Sequence, residues 1–109
     1  MMIDSFFSYF IVGGFMKITV DELLQKLGSI HLIDIRDKES YLEGHIPGAK
    51  NIVSSELIYH PNRYLDFDKE YYLYCDVGYI SEDVCMRLRM KGYRVISIIG
   101  GYKNYLFKR

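Results

Sequence analysis

The sequence predicts an α/β domain built on a mostly parallel sheet with helices on both faces. Three observations carry that prediction. Residues 30–35, 71–75 and 94–99 are short runs rich in β-branched and aromatic side chains, the texture of buried parallel strands. Between them lie stretches whose apolar residues recur at helical spacing. Glycines at positions 28, 44 and 92 close those stretches, as glycine does past a helix end. Strands that alternate with helices in this way imply βα units feeding one sheet.

Taken in order, Thr19 is placed to cap the first helix. Glu22 follows three residues on, Leu23, Leu24 and Leu27 form one face, and Gly28 closes the element. The strand at 30–35 carries Asp34, Arg36 and Asp37 at its carboxyl end. Residues 38–43 read as a short helix, 45–48 as a turn and Asn51-Ile52-Val53 as a small strand. Residues 54–69 contain Pro61, Asn62 and several charges, and read as a loop with one helical turn. The aromatic strand at 71–75 leads through a tight loop at 76–80 into a helix over 81–91, with Ser81 as its cap and Val84, Leu88 and Cys85 facing inward. The strand at 94–99 ends at Gly100-Gly101, and 102–107 form a terminal helical turn or two.

A chain of 109 residues fits a single domain. Residues 1–15 read as a hydrophobic extension set apart from a domain spanning 16–109. Its apolar run at 6–12 is far short of the ~20 residues that a membrane span needs. Asp4 is the sole charge before Lys17, so there is no basic region of the kind that opens a secretory signal. A start at Met16, or an aromatic segment that packs on the domain or a partner, stands ahead of a membrane-surface anchor, which would need a cationic face.

Lys plus Arg equals Asp plus Glu, 14 against 14. That balance argues against a nucleic-acid binder, which would carry a basic excess. With 50% hydrophobic and 26% charged residues, the chain is not of the disordered class. Its two cysteines, Cys75 and Cys85, are too few for a disulfide scaffold or a cysteine-based zinc site. His31, His45 and His60 do not fall at metal-ligand spacings. The expectation is a cytoplasmic protein in a reducing setting, without metal, organic cofactor or membrane contact.

In open α/β sheets, functional loops lie at the carboxyl ends of the strands, which directs attention to residues 34–37 and 75–80. Cys75 ends a strand, precedes a loop with Gly78 and faces the start of a helix. Backbone N–H groups and the helix dipole there favour negative charge on sulfur and can cradle an anion. Glu82 and Asp83 suit the helix start but oppose an anionic substrate. Cys75 reads either as such a nucleophile or as a buried residue ending an apolar strand.

Ile33-Asp34-Ile35-Arg36, followed by Tyr41 and by Gly44-His45-Ile46-Pro47-Gly48-Ala49, resembles the amino-terminal signature of rhodanese-like domains. Cys75-x-x-Gly78-x-Ile80-Ser81 is similar to their active-site loop. Gly92-Tyr93, the strand at 95–99, Gly100-Gly101 and Tyr105 resemble their carboxyl-terminal part. The resemblance spans about residues 17–107. It implies a five-stranded parallel sheet and a sulfurtransferase whose cysteine takes a sulfane sulfur as a persulfide and passes it to a nucleophilic acceptor. On that resemblance Cys75 is catalytic, and the N–H groups of Asp76, Val77, Gly78, Tyr79, Ile80 and Ser81 form the substrate cradle. Asp34 and Arg36 join a network beside the loop, Arg36 as a candidate substrate contact, while His45 and Gly48 are structural. The partners would be a sulfane-sulfur donor, a small molecule or a protein persulfide, and a thiol or other acceptor.

One residue departs from the family pattern. The loop usually carries Arg where this chain has Ile80. A guanidinium there would clamp an anionic donor such as thiosulfate, so weak thiosulfate use is expected. The alternative is a catalytically weak module of the same fold that binds partners or senses sulfur. Phosphatases on a similar sheet place Arg six positions after their cysteine, and Ser81 stands there, which argues against phosphate-ester hydrolysis. Cys85 reads as a core residue, with a resolving thiol as the sharper option. His60-Pro61-Asn62-Arg63 reads as a solvated loop rather than a pocket mouth. The cluster Arg87, Arg89, Lys91 and Arg94 reads as a solvent face rather than a steering patch, and Tyr71, Tyr72 and Tyr74 as core and rim.

Overall fold

A computed structural model describes residues 10–12 and 15–109. The strands are β1 (Phe10–Val12), β2 (Phe15–Ile18), β3 (His31–Asp34), β4 (Lys50–Asn51), β5 (Glu70–Tyr74) and β6 (Arg94–Ile98). The helices are α1 (Val20–Leu24), α2 (Lys38–Glu43), α3 (Ser54–Tyr59), α4 (Tyr79–Met90) and α5 (Gly101–Lys108), with a 3-10 turn at Pro61–Arg63. The sheet order is β1-β2-β6-β5-β3-β4. Five strands, β2 to β4 across that order, are parallel, and β1 adds an antiparallel edge through Phe10↔Lys17, Ile11↔Met16 and Val12↔Phe15.

The alternation of side chains along the central strands explains the two helical layers. Tyr71, Leu73 and Cys75 point to one face with Ile33 and Val95, where Leu57 of α3 and Val84, Cys85 and Leu88 of α4 cover them. Tyr72 and Tyr74 point to the other with Leu32, Ile96 and Ile98, under Val20 and Leu23 of α1 and Tyr105 of α5. Each aliphatic side chain so buried contributes roughly 1.5–3 kcal/mol by transfer from water.

Several local expectations change. Thr19 caps α1 as predicted, accepting from Glu22 N at 3.1 Å, but the helix ends at Leu24. Gly28, at φ +90°, closes the turn that follows rather than the helix. Residues 54–69 are not mainly loop. α3 holds six residues there because Leu57 is fully buried and Ile52 and Leu65 share its core, and packing, not propensity, stabilises so short a helix. Pro61 then starts the 3-10 turn. The small strand sits at Lys50–Asn51, one residue early.

Ser81 is not the cap of α4. Gly78 takes that place at φ +107°, a conformation that favours glycine, and the helix starts at Tyr79. Ser81 lies in its first turn, fully buried. At the other end Gly92, at φ +97°, turns the chain into β6 as expected. β2 had no sequence signature, since Phe-Met-Lys-Ile is short and mixed. β1 and Phe15 fall within the stretch read as an extension, and the sheet continues into it. The rest of that stretch, residues 1–9 and 13–14, lies outside the described residues. Among the described residues no helix is long and apolar enough to cross a membrane.

Candidate active site

The carboxyl ends of β3, β5 and β6 meet at Cys75. Parallel pairing of Asp34 with Tyr74 and of Leu73 with Ser97 brings residues distant in sequence to this level. The loop then curls back over the sulfur. Gly78 N donates to Cys75 Sγ at 3.2 Å and Ser81 N donates at 3.3 Å. Cys75 Sγ lies 3.6 Å from Ser81 Oγ, which lies 3.1 Å from Gly78 O and 2.7 Å from Ser97 Oγ. The N–H groups of Tyr79 and Ile80, in the first turn of α4, have no acceptor within the helix. Two backbone donors thus converge on a buried sulfur, and two more unpaired N–H groups follow them at the start of the helix, an arrangement able to hold an anion.

The loop is held from behind by α5. Tyr102 N donates to Cys75 O at 2.8 Å and Lys103 N to Asp76 O at 3.0 Å. Such an approach requires glycine at 101. Its φ is +60°, and a Cβ there would overlap the carbonyls of Cys75 and Asp76. Gly78 is similarly confined, with a Cβ position only 3.2 Å from Gly100 N.

Arg36 lies beside the loop but its guanidinium is committed. Nε and Nη2 donate to the Asp34 carboxylate, Nη2 at 2.7 Å, and Nη2 also reaches Gly44 O at 2.7 Å. Nη1 is 3.4 Å from Asp76 Oδ1, and the group stacks 4.2 Å over the Tyr102 ring. Burial alone would weaken its hold on the proton. The hydrogen bonds and charge of Asp34 outweigh burial and raise its pKa above the ordinary value. Asp34 is fully buried, so this pair braces β3 against the loop. Ser40, Glu43, Asp76, Tyr102 and Lys103 join Arg36 around an open groove of about 360 Å³ that begins at Asp76.

The remaining predicted residues separate cleanly. The side chains of Val77, Tyr79 and Ile80 are exposed around the loop. His45 stacks on Tyr41 at 3.8 Å and bonds Tyr41 O through Nδ1, and Ile46 N donates to Tyr74 Oη at 3.0 Å. The turn at 44–48 therefore fastens α2 to the sheet. Cys85 is buried beside Val84 and Leu88, and burial pushes its thiol up to about 12. Arg63 faces Glu56, Arg87 pairs with Asp83, and Arg89, Lys91 and Arg94 each donate to a nearby carbonyl. Sequence reasoning missed Ser97 and the clamp from α5. A serine inside the apolar run Val95-Ile96-Ser97-Ile98 was the available signal for the first.

The family model described as "Rhodanese-like domain" matches residues 19–108. The curated protein "Putative sulfurtransferase YtwF" of Bacillus subtilis is 36% identical over 87 residues, covering 78% of this chain and 76% of that protein. Among solved structures, a rhodanese-like domain protein from Staphylococcus aureus superposes with a TM-score of 0.75 at 29% identity, covering 82% of this chain and 89% of that one. The human single-domain sulfurtransferase TSTD1 does so with a TM-score of 0.76 at 27% identity, covering 85% and 96%.

Proposed function

The chain belongs to the rhodanese-like domain family, and from that premise we propose that it moves sulfane sulfur through a persulfide on Cys75. Its relatives support a sulfurtransferase-type role. The observation that carries the finer reading is the pair of N–H bonds from Gly78 and Ser81 to the Cys75 sulfur. The thiolate attacks the sulfane sulfur of a donor. An S–S bond forms on Cys75, the donor's bond to that sulfur breaks, and the leaving group departs with the electron pair. An acceptor nucleophile then attacks the outer sulfur, and Cys75 leaves again as a thiolate. No net oxidation occurs. Asp76, Val77, Gly78, Tyr79, Ile80 and Ser81 supply the cradle by their backbones, and the outer sulfur rests in it.

The donor class follows from the lack of a free guanidinium at the loop, with Lys103 adding one ammonium on the neighbouring groove. Ile80 gives the loop no cation, Arg36 is spent on Asp34, Gly44 and Asp76, and Lys17 is paired with Glu82 at 2.8 Å. A doubly charged donor such as thiosulfate meets backbone dipoles but no guanidinium at the loop. A neutral or singly charged persulfide fits better.

A second reading, a catalytically weak module that binds partners or senses sulfur, draws on the exposed apolar side chains of Val77, Tyr79 and Ile80. Intact-mass analysis after incubation with polysulfide separates the two. The enzyme reading expects a sulfur adduct on the wild type that cyanide removes and that Cys75→Ser lacks. No adduct with any donor overturns it.

A further inference from the structure

Directly behind Cys75 two serines are buried among apolar residues. Ser81 of α4 and Ser97 of β6 are 0% and 1% exposed, and their hydroxyls lie 2.7 Å apart. The Ser97 position faces Leu73 and Lys17 in the sheet, where an apolar side chain would be the default. Among the described residues Ser97 Oγ has one hydrogen-bond partner, Ser81 Oγ.

Counting protons then fixes the direction of that bond. A buried hydroxyl that donates to nothing is costly, so Ser97 donates to Ser81. Ser81 keeps one proton of its own, and two acceptors are in reach of it: Gly78 O at 3.1 Å and Cys75 Sγ at 3.6 Å. While Cys75 is a thiol, its S–H donates to Ser81 Oγ and the Ser81 proton goes to Gly78 O. Once the S–H proton passes to bulk solvent, the sulfur can only accept. The Ser81 proton is then free to turn to it as a third donor, beside Gly78 N and Ser81 N.

We propose that Ser97 is a positioning residue that, by always donating to Ser81, makes the Ser81 hydroxyl a rotor answering to the charge on Cys75. Without Ser97, the Ser81 hydroxyl loses the donor that polarises and orients it, and the third hydrogen bond to the sulfur is weaker. Only the S–H bond breaks in this step and nothing is oxidised. The inference rests on Cys75 being the nucleophile, and it explains why a polar strand residue sits in the core.

The other ionisable groups around the sulfur are the same in every variant of Ser97. Asp76 of the loop faces Arg36, Glu82 of α4 faces Lys17 of β2, and Cys85 of α4 stays protonated. Tyr74 of β5 is buried, which holds its proton above the ordinary range, and Asp34 of β3 is paired with Arg36.

The test compares the wild type with Ser97→Ala, Ser97→Thr, Ser81→Ala and the double variant. Two readouts are taken at neutral pH: ultraviolet thiolate absorbance referenced to Cys75→Ser, and the rate of Cys75 alkylation by iodoacetamide followed by mass. Ser97→Ala is expected to lower the thiolate signal and slow alkylation about three- to tenfold, as weakening but not loss of one hydrogen bond to a charged group predicts. Ser97→Thr is expected to restore the rate to within about twofold. In the Ser81→Ala background, Ser97→Ala should bring no further drop, because it acts through that hydroxyl. A wild-type rate in Ser97→Ala, or an additive drop in the double variant, overturns the proposal. Should the extra methyl of Ser97→Thr unfold the chain, the non-additivity decides alone. If these results hold but no persulfide ever forms, the sulfurtransferase reading falls and the rotor stands. If persulfide forms and Ser97→Ala matches the wild type, only the rotor falls.

Discussion

Cys75 and Cys85 are ten residues apart, and both are buried free thiols, 4% and 1% exposed. Their surroundings are opposite. Cys75 directly follows β5, under two backbone N–H donors. Cys85 sits within α4 among Val84, Leu88 and the rest of an apolar cluster, where burial pushes its thiol up to about 12. Burial therefore says little about a cysteine's chemistry. What decides is whether the buried sulfur is met by hydrogen-bond donors or by methyl groups.

The sharpest way to break this comparison is to exchange the roles by mutation. Cys75→Ser should abolish the cyanide-labile adduct entirely, while Cys85→Ala should keep it within about twofold, because core packing and not chemistry is lost. Equal losses by mass would erase the distinction. Gly101→Ala comes next. Its Cβ would overlap the carbonyls that α5 clamps, so a destabilisation of about 3 kcal/mol in urea is expected, with slower alkylation of Cys75 and an inert Cys85. A neutral outcome would mean the clamp is not needed. Ile80→Arg alters only the Cys75 side. It should raise thiosulfate turnover by about tenfold while leaving polysulfide loading close to wild type. An unchanged thiosulfate rate would show that charge at the loop mouth does not limit the donor.

The last effect, absent at neutral pH, concerns Cys85. Its pKa is raised on folding, so both states are protonated below 9.0 and its contribution is then fully present. Between 9.0 and about 12 the unfolded chain loses the proton while the native chain keeps it, and stability falls with rising pH. Cys85→Ala should show a shallower decline in urea midpoint than the wild type across that window. Parallel declines would mean that Cys85 titrates alike in both states.

The Cys75 loop was easier to read in the sequence than its support. Strands β3, β5 and β6 announce themselves by β-branched and aromatic runs, and the Cys75-x-x-Gly78 spacing marks a curled loop. β2 has no such run, because a four-residue strand with a lysine carries no period. α3 was hidden because a six-residue helix owes its stability to Leu57 in the core, which is a fact of tertiary packing. The role given to Ser81 as a cap failed for a related reason. Gly78 turns the chain early enough that the serine falls inside the first turn, where it meets Ser97 of the strand beneath. Arg36 was legible as a neighbour of the loop, but its engagement with Asp34, Gly44 and Tyr102 depends on contacts up to 66 residues away in the chain.

The bonds from Tyr102 N and Lys103 N to the carbonyls of Cys75 and Asp76 also tie the surroundings of one sulfur to the completion of the whole fold. The loop is closed by the last helix of the chain, so a molecule in which α5 has peeled away keeps its sheet but loses the clamp. Local opening at the carboxyl-terminal end would then reach Cys75 directly, without unfolding β3 or β5.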